Sequence, residues 1–244
     1  MPYALYKAKN VTDPAVRAAK LHKARPIVPY SRHPMAKLLS LVGRATSFVL
    51  WALKGEHFIV HDCKSVPALL KSMSEQLQQN GTLHYRVNDI ESCYTMMPKA
   101  AMRRAMRDVL AQVKACLPPG AGADPAVLVP TRSKKRCAWA HYSRRDASGH
   151  AKICFSLMLE VIEFDLENCY VATHDGRLLK QTEGIPMGSA LSPALCNGTL
   201  AWMEQKWMAG LTPETKARFR MGGTWMTCSQ WLRATTESGE LMSS

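Results

Sequence analysis

The chain has 244 residues, enough for one large domain or two small ones with a real hydrophobic core. Its hydrophobic content of 47% is ordinary for a globular protein and excludes wholesale disorder. Lys and Arg outnumber Asp and Glu by 32 to 19, which favours a polyanionic partner, nucleic acid before a membrane surface. A merely basic soluble protein has the same balance.

Neither cysteine spacing nor hydropathy indicates a zinc site or a membrane anchor. The eight cysteines are far apart, and no pair has Cys-x-x-Cys spacing. The start, MPYALYKAKN, lacks the apolar segment of a signal peptide, and the longest apolar run, FVLWAL, is too short to span a bilayer. We therefore expect reduced, mostly buried thiols in an intracellular protein, nuclear or cytoplasmic, with no membrane partner.

The first half of the chain reads as helices around one strand. Apolar residues recur at helical spacing over 34–53, and a second helical stripe ends at Asn80-Gly81. TLHYRVNDI alternates as a strand that ends at Asp89. Pro98 begins a third helix, apolar on one side. Its other face carries five basic residues: Lys99, Arg103, Arg104, Arg107 and Lys114.

Residues 118–150 interrupt this pattern and are predicted to be a basic loop. Its segment SKKRCAWAHYSRR suits a nucleic-acid single strand, a solvated surface or a nuclear address. The apolar residues of 152–163 favour a buried helix. CYVATHDGRLLKQ reads as a hairpin across Asp175-Gly176, and Ser192-Pro193 begins a further helix. The order predicts a mixed α and β fold.

Two stretches carry candidate chemistry. In VNDIESCYTMMP, the carboxylate of Asp89 and the carbonyl oxygen of Ile90 can ligate a divalent metal, and Tyr94 can close the floor of a nucleotide pocket. An aspartate before a turn is otherwise an ordinary cap. In GIPMGSALSP, Gly184 and Gly188 allow close approach of the backbone to a ligand, although a plain loop explains either glycine alone.

These stretches resemble a known enzyme family. DIESCYTMMP followed by QTEGIPMGSALSP is similar to motifs A and B of reverse transcriptases, and RPIVPYSRHPMAKLLSLVGRA resembles the fingers segment before them. The versions of both motifs look most like those of Penelope-like retroelements. The resemblance covers roughly residues 20–221 apart from the basic loop.

The resemblance implies an α+β right-hand polymerase. Residues 1–80 would form a fingers-like region and 81–221 part of a ferredoxin-like palm, with the basic loop 118–150 inserted and the thumb absent. The implied reaction is template-directed nucleotidyl transfer with two Mg²⁺ ions, using an RNA template, a DNA primer and a dNTP.

The same resemblance assigns roles to individual residues. Asp89 would be the catalytic metal ligand together with the Ile90 carbonyl, Tyr94 the gate against ribose, and Arg25 a contact to the triphosphate. The remaining matches would shape the floor for the template and the incoming nucleotide: Gln181, Gly184, Pro186, Met187, Gly188 and Ser189.

The C-terminal part departs from the family pattern. Motif C, a pair of aspartates in a hairpin turn, should lie near RMGGTWMTCSQ, but residues 215–236 contain no Asp or Glu. We therefore expect this chain to be catalytically inactive, and residues 222–244 to be a poorly ordered, out-of-frame tail. A non-catalytic protein that binds RNA or DNA and a relic without function are the alternatives.

The genetic code offers an explanation of this departure, and a chance Trp-Met-Thr triplet is the alternative. Trp225 is encoded only by TGG and Met226 only by ATG. In the frame that joins the third base of one codon to the first two bases of the next, the junction of these two codons reads GAT. The junction of Met226 with Thr227 gives GAC. Both triplets encode aspartate, so the sequence predicts that motif C was translated in the wrong frame.

Overall fold

The computed structural model describes residues 3–6, 15, 24–27, 30, 33–55, 57–59, 64, 66–78, 82–88, 90, 93–132, 136–142, 148–172, 176–217, 219–224 and 227–235. The α-helices of these residues are α1 (Ala36–Trp51), α2 (Val66–Gln78), α3 (Cys93–Met96), α4 (Lys99–Cys116), α5 (Phe155–Glu167), α6 (Ser192–Ala209) and α7 (Pro213–Ala217). The strands are β1 (Tyr3–Tyr6), β2 (Ala24–Ile27), β3 (Thr82–Asn88), β4 (Ala126–Pro130), β5 (Ala138–Trp139), β6 (His150–Cys154), β7 (Tyr170–Ala172), β8 (Leu178–Lys180), β9 (Phe219–Thr224) and β10 (Thr227–Thr235).

The periodic segments of the sequence adopt the predicted elements. The helical stripes give α1, α2 and α4, and the alternating segment before Asp89 gives β3. The predicted hairpin is the antiparallel pair β7–β8, in which Tyr170 lies opposite Lys180. No helix in the described part of the chain is both long enough and apolar enough to cross a bilayer. The mixed α+β class is therefore confirmed.

The core is built around α6, which packs against α1 and α4. Small residues bring these elements close together. A Cβ added to Gly198 of α6 would lie 2.6 Å from Met106 Sδ of α4. A Cβ added to Gly43 of α1 would lie 2.5 Å from the carbonyl oxygen of Ala190, just before α6. The core thus holds the turn before α6 against the backbone of α1.

The predicted basic loop 118–150 is wrong as a description of this whole region. It contains β4, which is buried along its entire length and pairs with β5 on one side and β6 on the other. Val127 and Val129 are fully buried, so the run AVLVP is a central strand that its loop-like flanks concealed. The predicted helix over 152–163 also begins later, because Lys152 and Ile153 pair with β4 as part of β6.

A second sheet has the order β3-β10-β9, with antiparallel pairing throughout. Ser229 of β10 lies opposite Asn88, the last residue of β3. The expectation of an irregular tail from residue 222 differs from the structure, where β9 includes 222–224 and β10 spans 227–235. β-sheet pairing with β3 provides the order that the sequence pattern of this segment does not indicate.

Candidate functional site

The motif A helix and the motif B turn are joined by backbone hydrogen bonds. The N–H of Ile185 donates to the carbonyl oxygen of Tyr94 over 2.6 Å, and the N–H of Gly184 donates to that of Met97 over 3.0 Å. Tyr94 and Met97 belong to α3 and the residues just after it. Two stretches that lie far apart in the sequence therefore form one continuous structural unit.

Position 184 requires glycine because of its backbone conformation and because a side chain would have no room there. Its φ is +80°, in the left-handed region that other residues avoid. A Cβ at this position would lie 2.6 Å from the carbonyl oxygens of both Tyr94 and Thr95. Because these neighbours are backbone atoms, they cannot rotate away from an added side chain. Gly184 therefore permits the contact between the two motifs.

The motif B turn is held from within by two serines. The hydroxyl of Ser192 donates to the carbonyl oxygen of Pro186, and the N–H of Ser189 donates to the same oxygen over 3.3 Å. Pro186 and Ser189 are buried, whereas Gly188 is exposed and Met187 is half-buried. The surface available to a ligand is therefore the apex, Met187 and Gly188, and the buried residues support it.

Asp165 is a buried carboxylate beneath this turn that sequence reasoning missed. It is only 3% exposed, and its Oδ2 accepts a hydrogen bond from Ser189 Oγ over 2.7 Å. Burial raises the pKa of Asp165, while hydrogen bonds from Ser189 and Tyr30 oppose that shift. The available signal was an acid on the buried side of the apolar run FSLMLEVIEFDLE. Asp165 thus connects Tyr30 to the motif B turn.

Gln181 is a supporting residue for the turn. Its Nε2 donates to the carbonyl oxygens of Glu183, over 2.8 Å, and Ile185, over 3.3 Å. Its Oε1 accepts a hydrogen bond from Cys169 Sγ over 3.1 Å. The buried ammonium group of Lys99 donates a hydrogen bond to the backbone carbonyl oxygen of Gln181. These contacts fix Gln181 within the protein.

Tyr94 packs towards α6. Burial is the largest cause of the raised pKa of its phenol, followed by the neighbouring thiols of Cys196 and Cys93. The residue is half-buried, so one part of it remains accessible. Tyr94 is therefore partly accessible, while its phenol forms a hydrogen bond with the buried Cys196 thiol.

Two predicted site residues, Asp89 and Arg25, lie wholly or partly outside the described residues. Asp89 lies outside the described residues, and its neighbour Ile90 is 47% exposed. The backbone of Arg25 lies in β2, where it pairs with Leu5, while its side chain lies outside the description. The structure consequently brings together Tyr94 and the motif B turn, and leaves the positions of the Asp89 and Arg25 side chains as predictions.

The basic face of α4 is only partly available to an external anion. Lys99 is buried against backbone carbonyls, and Arg103 pairs with Glu163 and Glu167 of α5. The side chains of Arg104 and Arg107 are exposed. Ion pairs within the protein therefore neutralise part of the positive charge on this face of α4.

The residues present do not fit the two Mg²⁺ ions that the resemblance implies. Two-metal sites need several carboxylates around a common point, and the sequences of β3, β9 and β10 contain none. Within the described ranges, no group of three or more His, Cys, Asp or Glu side chains is arranged to hold a metal. Among the described residues, the end of β3 therefore has no second set of carboxylate ligands.

Comparison with known proteins gives structural matches. No family model matches the chain, and no curated protein matches it. The structure of telomerase from Candida tropicalis in complex with a TWJ fragment of telomeric RNA matches with a TM-score of 0.60 at 14% identity, covering 93% of this chain and 32% of that chain. The corresponding Candida albicans telomerase matches with a TM-score of 0.57 at 15% identity, covering 94% of this chain and 34% of that one.

A further match is apo telomerase from Candida tropicalis truncated from its C-terminal domain, with a TM-score of 0.55 at 15% identity. It covers 93% of this chain and 39% of that chain. The chain thus spans about a third of the length of the telomerases that it matches. Telomerase is a reverse transcriptase, and at this identity the likeness concerns the fold: the chain has a reverse-transcriptase-like fold.

Proposed function

We propose that this chain is the fingers and part of the palm of a retroelement reverse transcriptase, of the Penelope-like type. The observation that carries the proposal is the pair of backbone hydrogen bonds from Gly184 and Ile185 to the motif A helix. They join the two segments that resemble motifs A and B. The structural likeness to telomerases supports the same assignment at the level of the fold.

Some residues of the site would contact the substrates, and others hold the motif B turn in place. Tyr94 would face the sugar of the incoming nucleotide, and Met187 and Gly188 would form the surface for the template base. Arg25 would contact the triphosphate, as the resemblance implies. The supporting residues are those that the structure holds by internal contacts: Gln181, Gly184, Pro186 and Ser189.

The proposed partners are an RNA template, a DNA primer and a dNTP. The formal net charge of +13 suits a nucleic-acid partner. The family reaction is nucleotidyl transfer, but the acid-free strands beside Asp89 lack the second set of metal ligands. The proposal is therefore that this chain binds an RNA–DNA hybrid duplex without extending the primer. Of the functions considered from the sequence, this is the non-catalytic nucleic-acid-binding protein.

Primer extension tests the catalytic part of the proposal. The full chain is incubated with an RNA template annealed to a DNA primer, Mg²⁺ and dNTPs, beside the Asp89→Asn variant. We expect equal, background incorporation from both proteins. Template-dependent incorporation that disappears in Asp89→Asn would show that the chain is a complete enzyme.

A binding experiment tests the nucleic-acid part. A fluorescent RNA–DNA hybrid should bind with an affinity that falls steeply as salt is raised. Gly188→Glu, at the exposed apex of motif B, should weaken this binding. Gly176→Glu is the matched control, since Gly176 also has a positive φ, +82°, and nothing lies within 4 Å of its added Cβ. Equal binding by both variants, or no salt-dependent binding at all, would contradict the proposed role of the apex.

A further inference from the structure

Two cysteines from distant parts of the sequence meet next to the contact between motifs A and B. Cys93 is the first residue of α3, and Cys196 lies in the first turns of α6. Their Sγ atoms are 3.8 Å apart, although the two residues are 103 positions apart in the chain. Neither forms a disulfide, and Cys196 is 1% exposed whereas Cys93 is only partly buried. Cys93 is thus the more exposed residue of the pair.

We propose that Cys93 and Cys196 are a modification site at which an oxidant of the peroxide class joins α3 to α6 by a disulfide bond. Sulfur atoms in a disulfide are about 2 Å apart, so the two thiols need to approach by roughly another 2 Å. Cys93 is the first residue of a four-residue helix, ahead of the Tyr94 and Met97 carbonyl oxygens that the N–H groups of Ile185 and Gly184 bind. Packing has already brought together the two reactive groups.

The chemistry proceeds in two balanced steps. Hydrogen peroxide oxidises the thiol of Cys93, the more exposed residue of the pair, to a sulfenic acid and leaves as water. The sulfur of Cys196 then attacks the sulfur of the sulfenic acid, forming the S–S bond and releasing a second water. Overall the two thiols lose two protons and two electrons, and one peroxide is reduced to two waters.

The surroundings of Cys196 affect the second step. The hydrogen bond with Cys93 and burial hold the pKa of Cys196 above its usual value, so it is present as the weakly nucleophilic thiol. Tyr94 contacts the same sulfur and is itself a neutral phenol. We therefore expect sulfenic acid formation at Cys93 to precede a slower closure of the disulfide.

The bond would connect motif A to motif B independently of the backbone hydrogen bonds of Gly184 and Ile185. It would close a long loop of chain, which stabilises a fold mainly by restricting its unfolded state. The inference goes beyond the proposed function and does not depend on it, because the reaction involves no nucleic acid.

Peptide mapping tests the proposal. The reduced full chain is treated with equimolar hydrogen peroxide, blocked with N-ethylmaleimide, and digested without reductant for mass spectrometry. We expect the dominant linked species to join the peptides that contain Cys93 and Cys196. It should be absent from Cys93→Ser and from Cys196→Ser, and retained in Cys116→Ser, the control at an exposed cysteine.

Thermal unfolding of the unaltered chain provides a measurement that needs no variant. The oxidised protein should have a Tm roughly 5–10 °C above that of the reduced protein. The proposal is overturned if Cys93 is oxidised while Cys196 remains free, if links through Cys116 dominate, or if the Tm falls on oxidation. If the serine variants no longer unfold cooperatively, the linked peptide and the change in Tm of the unaltered chain determine whether the proposal holds.

Discussion

The backbone N–H of Ile185 lies 2.6 Å from the carbonyl oxygen of Tyr94, and this contact sets the geometry of the candidate site. A second bond, from Gly184 to Met97, prevents rotation about the first. Because both bonds use backbone atoms, most side-chain substitutions leave them intact. The exception is a substitution that places a Cβ between the two segments.

Gly184→Ala should be strongly destabilising. The new Cβ would lie 2.6 Å from two backbone oxygens, in addition to the strain of a side chain at a φ of +80°. We expect a loss of about 3–5 kcal/mol in the free energy of unfolding, measured by chemical denaturation. Gly176→Ala is the control, with a φ of +82° and no atom within 4 Å, and should cost only about 1–2 kcal/mol. Equal losses in the two variants would contradict the steric explanation.

The hydrogen bond between Ser189 and Asp165 should appear as energetic coupling. Asp165→Ala leaves the buried hydroxyl of Ser189 without its acceptor, which should cost about 1–3 kcal/mol. The double variant with Ser189→Ala should be more stable than the sum of the two single losses implies. Asp124→Ala, which removes the partner of Ser156 elsewhere, should be additive with Ser189→Ala. Additivity in both pairs would show that Ser189 and Asp165 are not coupled.

Glu204 should make stability depend on pH. Burial raises its pKa from 4.5 to about 7, partly opposed by the Phe58 N–H that donates to Oε2 over 2.9 Å. A carboxyl group whose pKa is raised by folding favours the folded state most below pH 4.5. Its contribution is lost as the pH rises from there through about 7, by up to about 3 kcal/mol.

Glu204→Gln should therefore flatten the dependence of the unfolding free energy on pH between 4.5 and 8. Glutamine keeps an oxygen that can accept the hydrogen bond from Phe58, so the fold is retained. Glu160→Gln, at an exposed position of α5, should leave the slope unchanged. An unaltered slope in Glu204→Gln would show that another group causes the pH dependence.

The fold was predictable where one periodic pattern extended over a whole element. α1, α4 and β3 have this property, because their apolar residues repeat at the spacing of a single face. β4 was missed since AVLVP is buried on both sides and has no alternation, and Pro-rich and basic segments flank it. The strands β9 and β10 were missed because their order comes from pairing with β3, a long-range contact.

For the site, the residue types in the sequence indicated which residues belong to it, but their roles depended on how they pack in the structure. Gly184 was recognised as a position of close approach, but the neighbour proved to be the backbone of Tyr94 and Thr95. Asp165 carried no motif, so its place beneath Ser189 depended on the three-dimensional arrangement of α5. Spacing along the chain cannot indicate which polar residue of an apolar helix will meet a distant turn.

The regrouped reading frame should restore motif C at the connection between β9 and β10. Thr224 pairs with Thr227 at the end of this hairpin, and Ser229 lies opposite Asn88, the residue before Asp89. The two forced aspartates arise at the codon junctions between residues 225 and 227. Residues 89, 225 and 226 lie outside the described residues; among the described ones, the pairing of Ser229 with Asn88 brings the start of β10 to the end of β3. This is where a second set of metal ligands is needed.

Sequencing the underlying DNA tests this prediction. The codon of Gly223 should end in T, because its junction with Thr224 then encodes the tyrosine that precedes the apolar residue and the two aspartates of motif C. The regrouped frame should continue without a stop codon into a plausible thumb. Expression of that frame should give primer extension that is lost in Asp89→Asn, while the chain as translated gives none. A Gly223 codon with another third base, or an early stop, would leave the Trp-Met-Thr triplet as a coincidence.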